Sequence, residues 1–328
     1  MPVQITIIGL GQIGASIGLA LAAHKDKAAT LGHDRDFSIE QRAKKLGAVT
    51  ATDHNLPGAV ENADLVVLAI PVHQVRDTFK YIAQDLKKDA VVVDMTPVKA
   101  EVAKWARDLL PASVHYVGLV PAIGAGHLDI AGAGLDSARA DLFSKSVFLL
   151  STPPGVPGAA VKLVSDMVNL LGAATVLTDF VESDGLMASA NILPRLVSAA
   201  LLNATVDQPG WQELRKVAGL AYYRATSAFS ETEDAGALSM LAVQNRANVI
   251  RLLDQMTAAL LELRDELENE NGEALEKRLE SARQGRAKWL VERGKADWTH
   301  IPNERVEGVS IMEGLLGSKL GKMGRRGK

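Results

Sequence analysis

The run near the amino terminus best suited to chemistry is Gly9-Leu10-Gly11-Gln12-Ile13-Gly14, a G-x-G-x-x-G spacing. It follows the β-branched segment VQITII and precedes the helix-compatible ASIGLALAAH. In a strand–loop–helix turn the first glycine permits the tight turn and the second lets backbone approach a pyrophosphate. The third lets the helix pack on the strand. The free N–H groups of the helix start, to which Gln12 and Ile13 belong, suit an anion. Asp34 lies 20 residues beyond Gly14 at the end of a second apolar run, where a carboxylate can bind a ribose 2′-hydroxyl. The set points to a dinucleotide. Asp34 would repel a 2′-phosphate and so favours NAD. Arg35 beside it could hold that phosphate, which keeps NADP open. Two further strand ends, Ala69-Ile70-Pro71 and Asp94-Met95-Thr96-Pro97, are expected to frame the nicotinamide. Ligands of open α/β sheets sit outside the carboxyl ends of strands. Ala69, Pro71 and Thr96 therefore join the cofactor contacts.

A second group could serve a substrate. Lys99 follows a strand end; it is either a solvated helix lysine or a buried acid or base with a lowered pKa. Asp184, Asn191 and Arg195 are spaced seven and four apart, so they share a helical face. Arg195 could clasp a carboxylate bidentately, or pair with Asp184, or belong to a polar domain interface. Arg224, flanked by Tyr222 and Tyr223, is either a further anion site or a structural ion pair. Lys99, Asn191, Arg195 and Arg224 are the candidate catalytic and substrate-binding residues. His127 sits on a glycine-rich loop, as a surface residue or one able to swing inward. The seven histidines are dispersed and none forms an i, i+4 pair with an adjacent acid, so no metal site is expected.

These residues need particular elements to position them. Apolar runs at 3–8, 29–34, 64–70, 90–94, 114–119 and 146–151 alternate with helical patterns at 15–24, 38–47, 72–86 and 98–110. Near-continuous apolar strands between helices imply a parallel sheet covered on both faces. The expected class is α/β, a doubly wound Rossmann-type parallel sheet followed by an all-helical dimerisation domain. The turn-rich segment Pro153–Gly158 marks the join. Residues 1–152 then form the dinucleotide-binding domain, 153–300 a helical substrate and dimerisation domain, and 301–328 a basic, flexible tail. Helical patterns cover 159–172, 182–206 with a kink expected at Pro194, 235–267 and 272–293; residues 174–178 suit an edge strand. A helical domain this apolar points to a homodimer. Lys319 to Lys328 carries five basic residues and three glycines, a frayed end or an anion-docking tail.

Composition narrows the functional classes. Among 328 residues, 36 basic and 39 acidic side chains leave a net charge of −3, unlike a nucleic-acid binder. Aromatics at 4% are too few for base-stacking platforms. Cysteine is absent, which excludes disulfides, thiolate metal sites and cysteine nucleophiles and fits a reducing cytosol. No apolar stretch reaches 18 residues unbroken, and the amino terminus lacks a basic leader, so a cytoplasmic protein without a membrane span is expected.

The order of parts resembles the prephenate/arogenate dehydrogenase family over most of residues 3–298. The stretches that carry the resemblance are GLGQIGASIGLAL, DLVVLAIPV, VVVDMTPVK, GLVPAIGAG, Asp141-Leu142-Phe143 before FLLSTP, SDGLMASANILPRL, and the closing LLELRDELENENGEALEKRLESARQGRAKWL. The resemblance implies an NAD(P)-dependent oxidoreductase that oxidises and decarboxylates a cyclohexadienol acid in tyrosine biosynthesis. It also implies a small anionic substrate held in an interdomain cleft. The polar positions depart from the family. Its D-x-x-S-x-K motif has Pro97 in place of serine, and its H-P-x-x-G motif has Val120 in place of the catalytic histidine. Ser183, Ile192 and Arg195 stand where three histidines stand in its H-D-x-x-x-A-x-x-S-H-L-P-H motif. Its F-R-D segment is Tyr223-Arg224-Ala225, without the aspartate. Valine accepts no proton, whereas a positioned base contributes about 10²–10⁴-fold. Two alternatives therefore stand beside the family reaction. One is a diverged dehydrogenase or imine-type reductase acting on another substrate; the other is a non-catalytic nucleotide-binding sensor or interaction protein.

Overall fold

A computed structural model describes residues 2–129, 134–230 and 234–297. The basic tail from 301 lies outside these residues. In chain order the first part runs β1 (Val3–Ile8), α1 (Gln12–Leu21), β2 (Ala28–His33), α2 (Phe37–Leu46), β3 (Ala51–Thr52), α3 (Leu56–Val60), β4 (Leu65–Leu68), α4 (Val72–Ile82), β5 (Val91–Asp94), α5 (Ala100–Leu109), β6 (His115–Pro121), β7 (Val147–Ser151), α6 (Gly158–Leu170) and β8 (Ala174–Leu177). All eight strands form one sheet, ordered β3-β2-β1-β4-β5-β6-β7-β8. Every pairing is parallel except that of β6 with β7.

The strands are apolar on both faces because both faces are covered. In β4, Leu65 and Val67 enter one core cluster with β1, α1 and α6, while Val66 and Leu68 enter another with α4 and α5. This is the period-2 alternation of a strand between two helical layers. Gly47, the last residue of the helical pattern at 38–47, caps α2 at a φ of +81°. Strand β3 and helix α3 escape sequence reading, being two and five residues long and too short to show a period.

The sheet runs on past the Pro153–Gly158 turn, where the sequence places a domain join. Ala160, Val164, Met167 and Val168 of α6 recur on one helical face and bury against the sheet. Strand β8 then pairs with β7 as the expected edge strand.

Beyond it the chain is helical: α7 (Phe180–Met187), a wide turn over Ala188–Ile192, α8 (Leu193–Thr205), α9 (Trp211–Val217), α10 (Leu220–Thr226), α11 (Ala235–Gln244), α12 (Arg246–Glu268) and α13 (Gly272–Lys295). Pro194 offers no N–H to the preceding turn. The backbone absorbs this as a π-type turn directly upstream, and the helix continues to Thr205. The single pattern at 235–267 is split at Asn245. This buried residue leaves the helix so that its side chain donates to the Asp184 carbonyl at 2.7 Å. Ala188, Ile192, Leu238, Leu241, Val249 and Leu252 join the core cluster of α4 and α5. The helical part thus docks on the sheet's helices through a shared core.

Candidate active site

The glycine loop has the geometry its spacing requires. Gly9 adopts a φ of +90°, and a Cβ there would lie 2.5 Å from the Ala69 carbonyl oxygen. At Gly14 a Cβ would lie 1.9 Å from the Gly9 carbonyl oxygen. Both positions are closed to a side chain by the protein's own backbone. A Cβ on Gly11 would meet nothing within 4 Å, so the loop presents open space there. Helix α1 starts at Gln12 with no side-chain cap, which leaves its first amides for an anion.

Asp34 is built into the loop. Its Oδ2 accepts from the Leu10 amide at 2.8 Å and its Oδ1 from the Asp36 amide at 3.0 Å. Its own amide donates to Glu40 Oε1 at 2.9 Å. A carboxylate offers about four acceptor positions, so two remain for a ribose diol. A cavity of about 340 Å³ opens over this corner and brings together Gly9, Gly11, Asp34, Arg35, Ala69 and Pro71. Ile70 of the expected Ala69-Ile70-Pro71 strand end lines it too, and so do His33, Leu56, Gln74 and Thr78, which were not foreseen. Gln74 and Thr78, one turn apart on α4, are the pair that helical spacing after Pro71 could have revealed. This open cradle, with an acceptor at one end and helix amides at the other, fits a dinucleotide.

Gln12 and Ile13 offer the loop their backbone amides while their side chains turn elsewhere, and Thr96 is enclosed. The Gln12 side chain donates to the Ser137 carbonyl at 3.5 Å. Ile13 packs on the core. Thr96 is buried, its hydroxyl bonded to Asp94 Oδ1 and to the Val98 carbonyl.

The ends of β5 and β6 look quite different. Lys99 has no exposed surface. Its Nζ donates to Asp94 Oδ1 at 2.7 Å and to the Asp94 carbonyl at 3.0 Å. The Tyr116 hydroxyl donates to Asp94 Oδ2 at 2.6 Å. Burial holds the Lys99 ammonium below its ordinary pKa, opposed by Asp94, and drives the Tyr116 phenol well above its own. Asp184 belongs to this assembly, not to a stripe with Arg195. Its Oδ1 accepts from the Lys99 amide at 2.6 Å and its Oδ2 from the Ala100 amide at 3.1 Å. It thereby caps α5 from the helical part, as a carboxylate suits a helix start. Burial raises the Asp184 pKa, while the two amide bonds oppose the shift. Lys99 is therefore a buried lysine with a lowered pKa, but one enclosed by its partners and out of reach of a ligand in the cavity. Val120 is buried in β6 beside Leu149 of β7, and Ser183 is fully buried with an unpartnered hydroxyl.

Asn191 and Arg195 pair with one another on successive turns. Arg195 Nε donates to the Asn191 carbonyl at 3.0 Å, and its guanidinium also meets Asn191 Oδ1. Arg224 is exposed on α10. Ser198 of α8 donates to the Ala225 carbonyl at 2.8 Å, and Thr205 bonds the Tyr222 hydroxyl at 2.8 Å. The two arginines thus stand on adjoining helices, each within a turn of the Ser198–Ala225 bond. His127 lies 3.3 Å from Asp141. The Ile123 carbonyl, three residues past Val120, accepts from Arg293 of α13 at 2.5 Å.

Residues 17–177 match the family model described as the prephenate dehydrogenase nucleotide-binding domain, which ends with β8. Across 83% of its length the chain is 26% identical to a cyclohexadienyl dehydrogenase of Zymomonas mobilis, of which the match covers 91%. It is 24% identical to a prephenate dehydrogenase of Lactococcus lactis, over 89% of this chain and 78% of that one. In three dimensions it superposes on a prephenate dehydrogenase from Aquifex aeolicus, solved with hydroxyphenyl propionate and NAD⁺. The TM-score there is 0.77 at 21% identity, over 88% of this chain and 98% of that one. The superposition shows a shared fold.

Proposed function

Because the chain belongs to the prephenate dehydrogenase family and is an NAD-dependent dehydrogenase, we propose that it oxidises a small anionic cyclohexadienol of the prephenate or arogenate class, a step of tyrosine biosynthesis. The observation that carries this reading is the cradle formed by Gly9, Gly11 and the loop-anchored Asp34. When bound there, NAD supplies the hydride acceptor. Asp34 holds the ribose diol and disfavours a 2′-phosphate; Arg35 at the rim leaves NADP as a weaker second cofactor. Substrate enters the cleft between the carboxyl ends of the strands and the helical part. Arg195 and Arg224 are the residues we assign to its carboxylate, because guanidinium forks match carboxylates bidentately. Asn191 orients Arg195. Lys99 acts as a positioning residue by holding the end of β5.

No base stands at Val120, and Lys99 and Asp184 are enclosed. The hydroxyl proton then leaves to water, at the cost of the roughly 10²–10⁴-fold that a positioned base supplies. The same absence favours one other reading, a diverged dehydrogenase or imine-type reductase, since imine reduction needs a proton donor rather than a base. A sensor that binds NAD and turns nothing over is the outcome that would displace both.

We further divide the chain at Asp179, which caps α7 through the Glu182 amide at 2.8 Å. The helix Phe180–Thr205 is long and apolar enough by composition to cross a bilayer, yet only 17% of its most apolar window is buried within the chain. Asp184 and Arg195 within it are engaged in the fold, so a second copy of this chain is the cover we propose, in a cytoplasmic homodimer. Analytical ultracentrifugation would show a dimer; a monomer at micromolar concentration would remove this proposal.

The test of function is NADH formation with prephenate and with arogenate, beside a panel of keto acids with amines and NADH. Turnover of either cyclohexadienol supports the reading. NAD binding with no turnover of any compound sinks it.

A further inference from the structure

Three side chains that the dehydrogenase reading does not use converge behind the ribose end of the cavity. His33 closes β2, and the β2–β3 register that pairs Gly32 with Thr52 brings it beside Asp53. His54 follows in the next position of the loop. Glu40, in the first turn of α2, folds back beneath both. His54 Nδ1 lies 3.1 Å and His33 Nδ1 3.4 Å from Glu40 Oε1; in the tautomer that carries its proton on Nδ1, His33 also donates to the Asp53 carbonyl at 3.0 Å, a bond that an ion at this nitrogen would replace. Ligand atoms sharing one tetrahedral ion with bonds near 2.0–2.1 Å are about 3.3 Å apart.

Glu40 gives a second, independent observation. It has no exposed surface, and its Oε2 is buried without a hydrogen-bond partner. Among the described residues no lysine or arginine pairs with it; the two histidines are its ion-pair partners. A buried carboxylate needs a countercharge, or a metal in its place. His54 is half exposed, which leaves a route for an ion and a position for water.

We propose that His33, Glu40 and His54 form a binding site for a divalent cation of the zinc class. Two imidazoles and a carboxylate suit zinc better than magnesium or calcium, which prefer all-oxygen ligands. The ion would tie β2, α2 and the loop after β3 into one unit. That unit carries Asp34, whose amide already donates to Glu40 Oε1. Its role is to hold the ribose-binding corner, and no step of hydride transfer passes through it.

The test uses the full chain, stripped with chelator and dialysed. Zn²⁺ is titrated by calorimetry, and thermal unfolding is followed with and without it. Co²⁺ serves as a spectroscopic substitute for tetrahedral ligation. Wild type is expected to bind one Zn²⁺ per chain, to unfold at higher temperature with it, and to give visible Co²⁺ bands. Glu40→Gln and His54→Ala should each weaken Zn²⁺ binding at least tenfold and abolish the bands, while His24→Ala should leave both unchanged. His54 is exposed enough that its variant should fold, and the zinc-free unfolding curve checks this. Absence of Zn²⁺ uptake by wild type would overturn the proposal. So would uptake that survives both Glu40→Gln and His54→Ala.

Discussion

The corner at β1, β2 and β4 and the junction of β5, β6 and α7 lie at the carboxyl ends of the same sheet, yet they have opposite character. The first is open and made of backbone: two glycines that exclude side chains, one that leaves space, and a carboxylate tied to a loop amide. The second is closed and made of side chains. Asp94, Lys99, Tyr116 and Asp184 satisfy one another, and Val120 adds no polar atom. The difference teaches that a binding feature defined by backbone shape can persist while neighbouring polar positions are turned to holding the fold.

The sharpest way to break this contrast is to return chemistry to the closed side. Val120→His should raise turnover of the cyclohexadienol by about 10²-fold or more, the contribution of a positioned base. Steady-state kcat would measure it, with the unfolding curve as control. No gain in a folded variant would mean that the histidine position does not limit the reaction. Lys99→Met should cost about 3–5 kcal/mol in urea unfolding, because it leaves Asp94 buried and without its cation. A loss below about 1 kcal/mol would place Lys99 outside the stabilising network.

On the open side, Gly14→Ala should cost about 1–3 kcal/mol through overpacking against Gly9 and weaken NAD along with stability. Gly11→Ala should leave the unfolding midpoint unchanged and weaken NAD roughly tenfold, or about 1.4 kcal/mol. Equal loss of stability in both variants would erase the distinction between a packing glycine and a binding glycine. The smallest expected effect is a pH dependence at Asp184. Its pKa is raised in the folded chain, so its contribution is fully present below the ordinary carboxylate range and lost as pH rises through the raised value. Stability across that window should slope less in Asp184→Asn than in wild type.

Much of the open side was legible in the sequence because its determinants are local. The turn, the helix start and Asp34 lie within residues 3–34, and each answers a backbone requirement that residue type alone reveals. Lys99 was legible as a candidate but not in its setting. Its partners are Asp94, five residues away, and Asp184, 85 residues away. The stripe of Asp184, Asn191 and Arg195 also divided, since Asp184 is drawn to α5 while Arg195 folds back on Asn191. His33, Glu40 and His54 carry no helical spacing, and the expectation of no metal cluster had no way to see them meet. Only the pairing of β2 with β3 brings them together.

By itself the sequence determined a dinucleotide cradle on a doubly wound sheet, because glycine conformations, helix starts and apolar alternation are properties of short segments. The tertiary structure decided where the sheet ends, which polar groups are sealed and which remain open to a ligand. Burial and pairing depend on strands and helices far apart in the chain, and a buried charge takes whichever partner the packing brings within reach.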